Sequence, residues 1–246
     1  MKCIILAAGY GTRLYPLTKN TAKPLVEVNN VPIITRIVEN VSHLPIETYY
    51  VVTNDKYADD LQRWADSLDT DLDIVVVNDG TKTNEDRLGT LGDINYVVQE
   101  ESVEDDVLII GGDNLFGFDL EELVDFFEEH KDSSVLAAKD MESKDVVANS
   151  FGVLEVEGEK AVGFEEKPSK PKSTLASTLL YVVKKEHLPH VQHCVEELGR
   201  ADDAGLFFEY LVEEESVHVY TFTEEWFDIG TKERLREAEK HYDDNA

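Results

Sequence analysis

The stretch KCIILAAGYGTRLYPLTKNTAKPL, Lys2 to Leu25, begins with an apolar run that leads directly into a glycine-rich bend. Its first part, CIIL (3–6), has the length and composition of a strand buried on both faces. Glycines directly after such a strand let an anionic ligand approach the backbone closely. The stretch therefore predicts an α/β fold with a ligand-binding loop at the carboxyl end of its first strand.

Short apolar runs alternate with longer amphipathic stretches through the first half of the sequence. Strands are predicted at CIIL (3–6), TYYVV (48–52), DIVVV (73–77) and DVLII (106–110). Helices are predicted between them, at 32–44, 56–68 and 91–101, with Pro32 in a first turn. This alternation predicts a Rossmann-like α/β domain with a mixed, mainly parallel sheet flanked by helices.

The pattern changes after about residue 133, where strands and a hairpin replace the alternation. Strands are predicted in SVLAAK (134–139), in a hairpin over 151–167 that turns near Gly158, and at 177–183 and 216–222. Helices are predicted around 185–198 and 205–215 and from Thr231 onward. The absence of a linker or repeat predicts one domain, 1–246, made of a first half (1–132) and an appended second half (133–246).

Acidic residues dominate the composition. The 246 residues include 52 Asp and Glu against 23 Lys and Arg, a formal net charge of −29. Such a chain is a poor ligand for nucleic acid, because that affinity depends on cationic contacts to phosphate. A surface this acidic is typical of a protein from a salt-loving (halophilic) organism, where concentrated salt screens the repulsion.

The sequence also predicts a compartment. It contains no apolar run long enough for a membrane span and no export signal, so we expect a cytoplasmic protein without a membrane partner. Its two cysteines, Cys3 and Cys194, lack metal-binding or CxxC spacing and are expected to be reduced thiols. Composition leaves the oligomeric state open, including a homo-oligomer.

Two common phosphate loops are excluded by the residues after the first strand. A dinucleotide fingerprint needs a third glycine where Leu14 stands, and Pro16 prevents an immediate helix. A P-loop needs Gly-Lys-Ser/Thr, which is absent from the sequence. What remains is the glycine loop, residues 7 to 24, which carries Arg13, Lys19 and Lys23. Backbone amides and three cations favour a polyphosphate ligand.

The segment LAAGYGTRLYPLTKNTAKPL resembles the signature of the sugar-1-phosphate nucleotidylyltransferases, LAAG-x-GTRL-x-PLT followed by PKPL, with Ala22 in place of the usual proline. Four further segments are similar to later elements of that family and occur in the same order: Leu88 to Thr90, Gly111 to Asn114 (GGDN), Phe164 to Pro168 (FEEKP) and Trp226 to Thr231 (WFDIGT). The family also has members with a C-terminal β-helix, which this sequence lacks, so the resemblance is to the short form. Together the matches span roughly residues 2 to 232.

The resemblance implies a nucleotide-diphospho-sugar transferase fold in which the first half binds nucleotide and the second half binds sugar phosphate. The nucleotide-binding residues it implies are Leu6, Ala7, Ala8, Gly9, Gly11, Thr12, Arg13, Lys23, Leu88, Gly89, Thr90 and Asp113. The sugar-phosphate-binding residues it implies are Gly152, Glu166, Lys167, Ser177, Tyr181 and Trp226. Arg13, Lys23 and Lys167 are the expected catalytic cations.

Two carboxylates are expected to hold Mg²⁺. Asp113 ends a predicted strand at the ligand-binding edge, and Asp228 follows another predicted strand. Carboxylates that converge at such an edge are suitable ligands for a hard cation that bridges to phosphate. One position departs from the family pattern: Leu179 stands in the run STLLY (177–181), where a glycine is usual, and adds bulk near the expected sugar.

The implied reaction joins an NTP and a sugar 1-phosphate into an NDP-sugar with release of pyrophosphate. The resemblance favours dTTP or UTP as nucleotide and glucose 1-phosphate as sugar, with Asn78 to Arg87 near the base. Two alternatives stay open. One is a CTP-dependent or other nucleotidylyltransferase of a non-sugar phospho-alcohol, which the Glu166–Lys167 pair disfavours. The other is a non-catalytic sensor of sugar nucleotides, which would be expected to lose a metal carboxylate or Lys23.

Three histidines at intervals of three, His187, His190 and His193, resemble a ladder of metal ligands. Pro189 interrupts the segment, and no cysteine or carboxylate pattern completes a zinc set. We therefore expect these side chains to be structural or solvent-facing.

Overall fold

The computed structural model describes residues 1–199, 201, 202 and 204–244. Its strands and helices are numbered here along the chain. The strands are β1 (Lys2–Leu6), β2 (Glu27–Val28), β3 (Val31–Pro32), β4 (Tyr49–Thr53), β5 (Ile74–Asn78), β6 (Val107–Gly111), β7 (Asn114–Phe116), β8 (Ser134–Asp140), β9 (Val153–Glu157), β10 (Lys160–Glu165), β11 (Leu175–Val183), β12 (Val217–Phe222) and β13 (Trp226–Asp228). The helices are α1 (Ile33–Val41), α2 (Ala58–Ser67), α3 (Thr90–Glu100), α4 (Glu121–Glu129), α5 (Lys144–Val147), α6 (Leu188–Glu196), α7 (Ala204–Glu214) and α8 (Lys232–Asp244).

A nine-stranded mixed sheet forms the centre of the molecule, in the order β5-β4-β1-β6-β11-β8-β12-β10-β9. The four strands from the first half are parallel, as their near-continuous apolar sequences predict. The carboxyl ends of β1 and β6 are therefore neighbours: Leu6 pairs with Gly111 in the ladder. This register places the glycine loop beside the GGDN segment.

The second half continues the same sheet with mostly antiparallel strands. Strand β11 pairs antiparallel with β6, and its ladder with β8 shifts register between Ser177 and Tyr181. The predicted hairpin is present as β9 and β10, with Gly158 in its turn. A separate two-stranded ladder joins β13 to β7 and places Asp228 opposite Asn114. The mixed, helix-flanked sheet is the fold class that the sequence predicted.

Helices cover both faces of the sheet and bury two apolar cores. On one face, side chains of α1, α2, α4 and α8 pack with alternate residues of the central strands, such as Ile5 and Val51. On the other face, α3, α6 and α7 pack against the opposite set, such as Ile4 and Val52. Within the described part of the chain, every helix is too short or too polar to cross a membrane.

Three local expectations need correction. Pro32 belongs to the short strand β3, and α1 begins one residue later at Ile33. Asp228 is the last residue of β13 rather than a residue after a strand, because the β7 ladder extends to Asn114. Pro189 lies in the first turn of α6, where its missing N–H leaves no helical hydrogen bond unmade, so it starts this helix instead of interrupting it.

Candidate active site

The glycine loop is held by side-chain hydrogen bonds, some from residues that follow β4 and one from within the loop. Asn54 donates a hydrogen bond to the carbonyl of Ala8 (2.7 Å), and the hydroxyl of Thr18 donates to the carbonyl of Gly11 (2.6 Å). Tyr57 in turn donates to the carbonyl of Thr18 (2.8 Å). Gly11 has a left-handed backbone, φ +58°, which glycine adopts without steric cost. Side-chain hydrogen bonds to three of its carbonyls, at Ala8, Gly11 and Thr18, therefore fix the backbone of the loop.

A cavity of about 300 Å³ lies beside the glycine loop and is called the loop cavity here. Eleven of the twelve predicted nucleotide-binding residues line it; Leu88, which packs against Gly92, does not. Of the three cations of the loop, Arg13 and Lys23 line the cavity, whereas Lys19 lies exposed outside it. The described lining residues also include Asn84 and Arg87, from the segment expected near the base, and Tyr10 and Asp93, which the sequence analysis did not single out.

A chain of polar contacts crosses the site from the glycine loop to β13. The ammonium of Lys23 forms an ion pair with Oδ2 of Asp113. Asn114 donates to Oδ1 of the same carboxylate (2.8 Å), and Trp226 Nε1 donates to Oδ1 of Asn114 (2.7 Å). Because both oxygens of Asp113 are engaged, its carboxylate has one orientation. The link between Asn114 and Trp226 follows from the β7–β13 ladder, which no local sequence signal revealed.

Asp113 and Asp228 face each other with cations beside them. Burial acts to raise the pKa of Asp113, but the Lys23 ammonium and, more weakly, Arg13 outweigh it and hold that pKa below its usual range. Burial, followed by the charge of Asp113, raises the pKa of Asp228. A cation between the carboxylates would relieve this repulsion, and oxygen ligands suit a hard divalent ion. The donor set therefore fits the predicted Mg²⁺ site.

A second cavity, of about 330 Å³, lies beside the β9–β10 hairpin and is called the hairpin cavity here. All six predicted sugar-phosphate residues line it, and so does Asp228. Lys167 Nζ contacts Glu166 Oε1 at 2.5 Å, and the hydroxyls of Ser177 and Tyr181 are 3.0 Å apart. The cavity thus offers a half-exposed ammonium, a carboxylate and two hydroxyls.

Glycine is required at Gly152 by close packing at the wall of the hairpin cavity. A Cβ atom there would lie 2.5 Å from Cζ of Phe164 and 3.0 Å from Oε2 of Glu166. The carbonyl of Gly152 also accepts a hydrogen bond from the amide of Ser177 (2.8 Å). Gly152 therefore lets the hairpin approach β11 and fixes the place of the Glu166 carboxylate.

Glycine is required at position 89 by a contact that the sequence did not reveal. Its φ is +86°, and a Cβ there would lie 2.5 Å from the carbonyl oxygen of Ala201. That carbonyl accepts hydrogen bonds from the amides of Leu91 and Gly92, and Asp202 accepts one from Thr90. The first amides of α3 are thus occupied by another segment of the chain, although Gly89 and Thr90 still line the loop cavity.

Two aspartates form a buried acidic pair at one wall of the loop cavity. Asp93 is 8% exposed, and Asp79 is 9% exposed. Burial raises the pKa of Asp93 to about 8, and the charge of Asp79 and a hydrogen bond to it add to the effect. Asp79 in turn accepts hydrogen bonds from the amide and hydroxyl of Thr81, both at 2.7 Å. Burial beside a second carboxylate therefore favours the protonated form of Asp93 at neutral pH.

The three histidines have structural partners. His187 is buried, with Nδ1 2.8 Å from the hydroxyl of Ser134. His190 contacts Glu215 (3.1 Å), and His193 contacts its helical neighbour Glu197 (3.4 Å). Elsewhere, the exposed side chains of His43, Asp119 and Glu121 could bring ligand atoms within 4.8 Å of one another, but exposed acidic groups commonly cluster without an ion.

A known protein family matches this chain over nearly its whole length. The model of the nucleotidyl transferase family matches residues 2–245. A curated relative from Sulfolobus acidocaldarius, provisionally named a mannose-1-phosphate guanyltransferase, is 28% identical over 233 residues, which is 94% of this chain and 60% of the relative. The chain thus spans about three fifths of the length of that relative.

Two solved structures share the fold. One is the structure from Bacillus anthracis, in complex with a sucrose, of a protein provisionally named a glucose-1-phosphate thymidylyltransferase; the TM-score is 0.81 at 23% identity, over 98% of this chain and 94% of that one. The other is a UDP-glucose pyrophosphorylase complexed with UDP-glucose, with a TM-score of 0.85 at 19% identity over 100% and 99% of the two chains. At these identities the likeness concerns the fold.

Proposed function

Because the chain belongs to the nucleotidyl transferase family, we propose that it transfers a nucleotidyl group from an NTP to a sugar 1-phosphate, giving an NDP-sugar and pyrophosphate. One observation carries this proposal: the two cavities adjoin and share the lining residues Arg13, Thr90, Asp113 and Leu179. A cavity with a glycine loop and two cations suits a triphosphate, and its neighbour suits a phosphorylated sugar. In this division, residues 1–132 hold the nucleotide and residues 133–246 hold the sugar phosphate.

The proposed chemistry needs no covalent enzyme intermediate, because the sugar phosphate is itself the nucleophile. One of its oxygens attacks the α-phosphorus of the NTP, and pyrophosphate leaves from the opposite side. Arg13 and Lys23 neutralise the triphosphate and the leaving pyrophosphate. Lys167 holds the sugar phosphate against its repulsion from the nucleotide, and Glu166 accepts hydrogen bonds from sugar hydroxyls. Positioning and charge stabilisation then supply most of the rate enhancement.

We propose that Asp113 and Asp228 hold Mg²⁺. When bound, the ion would supply charge stabilisation at the α-phosphate. The raised pKa of Asp228 and its proximity to Asp113 support this assignment. Asp228→Ala should therefore abolish turnover while the fold stays intact, since Asp228 contributes repulsion in the metal-free protein. Isothermal titration with Mg²⁺ and a thermal melt test this; retained turnover or unchanged Mg²⁺ affinity in the folded variant would refute the metal role.

The identities of the nucleotide base and of the sugar are also part of the proposal. The sequence favours dTTP or UTP with glucose 1-phosphate, and the names of the two solved structures agree with that choice. The name of the Sulfolobus relative instead favours GTP and mannose 1-phosphate. Because Asn84, Arg87 and Asp93 line the loop cavity, we propose that these side chains distinguish the base.

The proposed function is tested by pyrophosphate release from five NTPs, each with several sugar 1-phosphates, in Mg²⁺ and in low and molar salt. Release that requires both substrates, with formation of an NDP-sugar, is the expected result and identifies base and sugar together. Tight nucleotide binding without release from any pair would instead support a sensor. The two salt conditions also test the halophilic character that the net charge of −29 predicts.

A further inference from the structure

The boundary between the two cavities contains one apolar side chain among polar groups. Of the described residues that line both cavities, Arg13, Thr90 and Asp113 carry charged or hydroxyl groups, and Leu179 is the fourth. If the proposed function is correct, the α-phosphate of the NTP and the sugar phosphate meet at this boundary. Leu179 therefore lies beside the place of reaction.

The backbone of Leu179 is in a conformation that leucine rarely adopts. Its φ is +53°, in the left-handed region, at the point where the β11 ladder with β8 shifts register. The other non-glycine residues with positive φ in the described chain are polar: Asn29, Asn30, Ser102, Glu142, Asn149 and Lys167. Glycine would adopt this φ without the steric cost that a side chain incurs. Residues with strained backbones cluster at functional sites, and Leu179 lies beside two ligand cavities.

The side chain of Leu179 is placed by a neighbouring glycine. A Cβ atom on Gly111, at the end of β6, would lie 2.9 Å from Cδ2 of Leu179. The leucine thus packs directly over Gly111 and fills the space above the strand end from which Asp113 follows. The polar contact of Thr178 with the carbonyl of Ala137 (3.0 Å) holds the bulged strand in place beneath it.

We propose that Leu179 selects the nucleophile: its side chain keeps water away from the α-phosphorus, so that the sugar phosphate attacks instead. This inference rests on the proposed function. Arg13 and Asp113 attract water to the same boundary, whereas an isobutyl group offers no hydrogen bond and occupies the volume. Leu179 is thus a specificity-determining residue for sugar phosphate over water.

The competing reaction is the hydrolysis of the NTP. In the transfer, an oxygen of the sugar phosphate forms a bond to the α-phosphorus, and the bond from that phosphorus to the β-phosphate oxygen breaks with its electron pair on pyrophosphate. In hydrolysis, the oxygen of water forms the new bond, the same bond breaks, and the proton of water passes to solvent. The products are then NMP and pyrophosphate.

The test uses α-labelled NTP and sugar 1-phosphate and measures the ratio of labelled NMP to labelled NDP-sugar. Leu179→Ala removes the side chain and keeps the positive φ, whereas Leu179→Gly removes both the side chain and the strain. Both should raise the ratio about tenfold or more, and Leu179→Met, which keeps the bulk, should stay near wild type. Glu142→Gly relieves an equally positive φ (+57°) at an exposed residue outside both cavities and should leave the ratio unchanged.

Thermal melts separate the side-chain role from a structural one. Leu179→Gly should melt above Leu179→Ala, because only the former relieves the strained backbone. An unchanged ratio in folded Ala and Gly variants that still make NDP-sugar would overturn the inference, as would an equal increase in Glu142→Gly. If wild type makes no NDP-sugar from any pair, the proposed function fails, and this inference fails with it.

Discussion

The two cavities of this chain are built in different ways. The loop cavity takes two cations, Arg13 and Lys23, and nine of its 21 described lining residues from one contiguous stretch, the glycine loop, which is supported by buried side chains such as Asn54 and Tyr57. The hairpin cavity collects residues from the segment before β9, from β11 and β13, and from the turn after β10. Two of its lining residues, Lys167 (φ +45°) and Leu179 (φ +53°), have left-handed backbones.

This difference shows how each cavity depends on the rest of the fold. A contiguous loop after a parallel strand keeps its geometry through local hydrogen bonds, so its residues can serve the ligand. A cavity assembled from distant strands depends on close packing, as at Gly152, and on backbone strain. We therefore expect substitutions in the loop cavity to affect ligand binding and those in the hairpin cavity to affect both binding and stability.

In the loop cavity, the largest effect is expected for Lys23→Ala. This ammonium neutralises the triphosphate and pairs with Asp113, so its loss should lower kcat by about a thousandfold or more. Lys19→Ala is the matched control, because Lys19 belongs to the same loop but is exposed outside the cavity. Steady-state kinetics of both folded variants measure the two values of kcat. Similar losses of kcat would mean that the reaction depends on the total charge of the loop and not on the position of Lys23 in the cavity.

A smaller effect, confined to one substrate, is expected for Lys167→Ala. Loss of this cation should raise the KM for sugar 1-phosphate by about tenfold to a hundredfold and leave the KM for NTP nearly unchanged. Lys172→Ala, which removes an exposed ammonium paired with Glu155 outside the hairpin cavity, is the control. A comparable rise in the KM for NTP would contradict the separation of the two cavities.

A pair of glycine substitutions tests the comparison directly. Gly9 has open space around it, so Gly9→Ala should leave the Tm unchanged while the new methyl group raises the KM for NTP. Gly152→Ala places a Cβ against Phe164 and Glu166 and should destabilise the fold by about 1–3 kcal/mol. Melting curves and NTP kinetics of both variants test this prediction. A lower Tm for Gly9→Ala than for Gly152→Ala would contradict the comparison.

The last prediction concerns the effect of pH on the acidic pair, Asp79 and Asp93. The folded pKa of Asp93, about 8, lies above its unfolded value of about 3.9, so the folded state holds the extra proton between these pH values. Stability from this group is present at low pH and declines as pH rises toward 8, by at most about 1.4 kcal/mol per pH unit. Asp93→Asn should therefore gain Tm relative to wild type between pH 5 and pH 8. A constant difference over that range would show that Asp93 is ionised throughout.

Sequence patterns predicted most of the elements and much of the site. Alternating apolar runs indicated the parallel strands, and the order of the glycine loop and GGDN placed Lys23 and Asp113 at one sheet edge, because the carboxyl ends of β1 and β6 are neighbours. The hairpin turn at Gly158 followed from local turn chemistry. These are properties of contiguous residues, and the glycine loop is the largest contiguous part of the loop cavity.

The features that escaped prediction depend on contacts between residues that are distant in sequence. The contact between Asn114 and Trp226 exists because β13 pairs with β7, and the requirement for glycine at Gly89 comes from Ala201. The raised pKa of Asp93 comes first from its burial and then from the charge of Asp79 beside it. None of these partners is near in sequence, so periodicity and motif spacing carry no signal for them.

The central claim is that sugar phosphate held in the hairpin cavity attacks the α-phosphorus of a nucleotide held in the loop cavity. The direct measurement is transfer from sugar 1-phosphate that carries ¹⁸O in the non-bridging oxygens of its phosphate, followed by mass spectrometry of both products. The expected result is complete retention of ¹⁸O in the NDP-sugar and unlabelled pyrophosphate. Label in the pyrophosphate, or loss of label from the NDP-sugar, would contradict the claim.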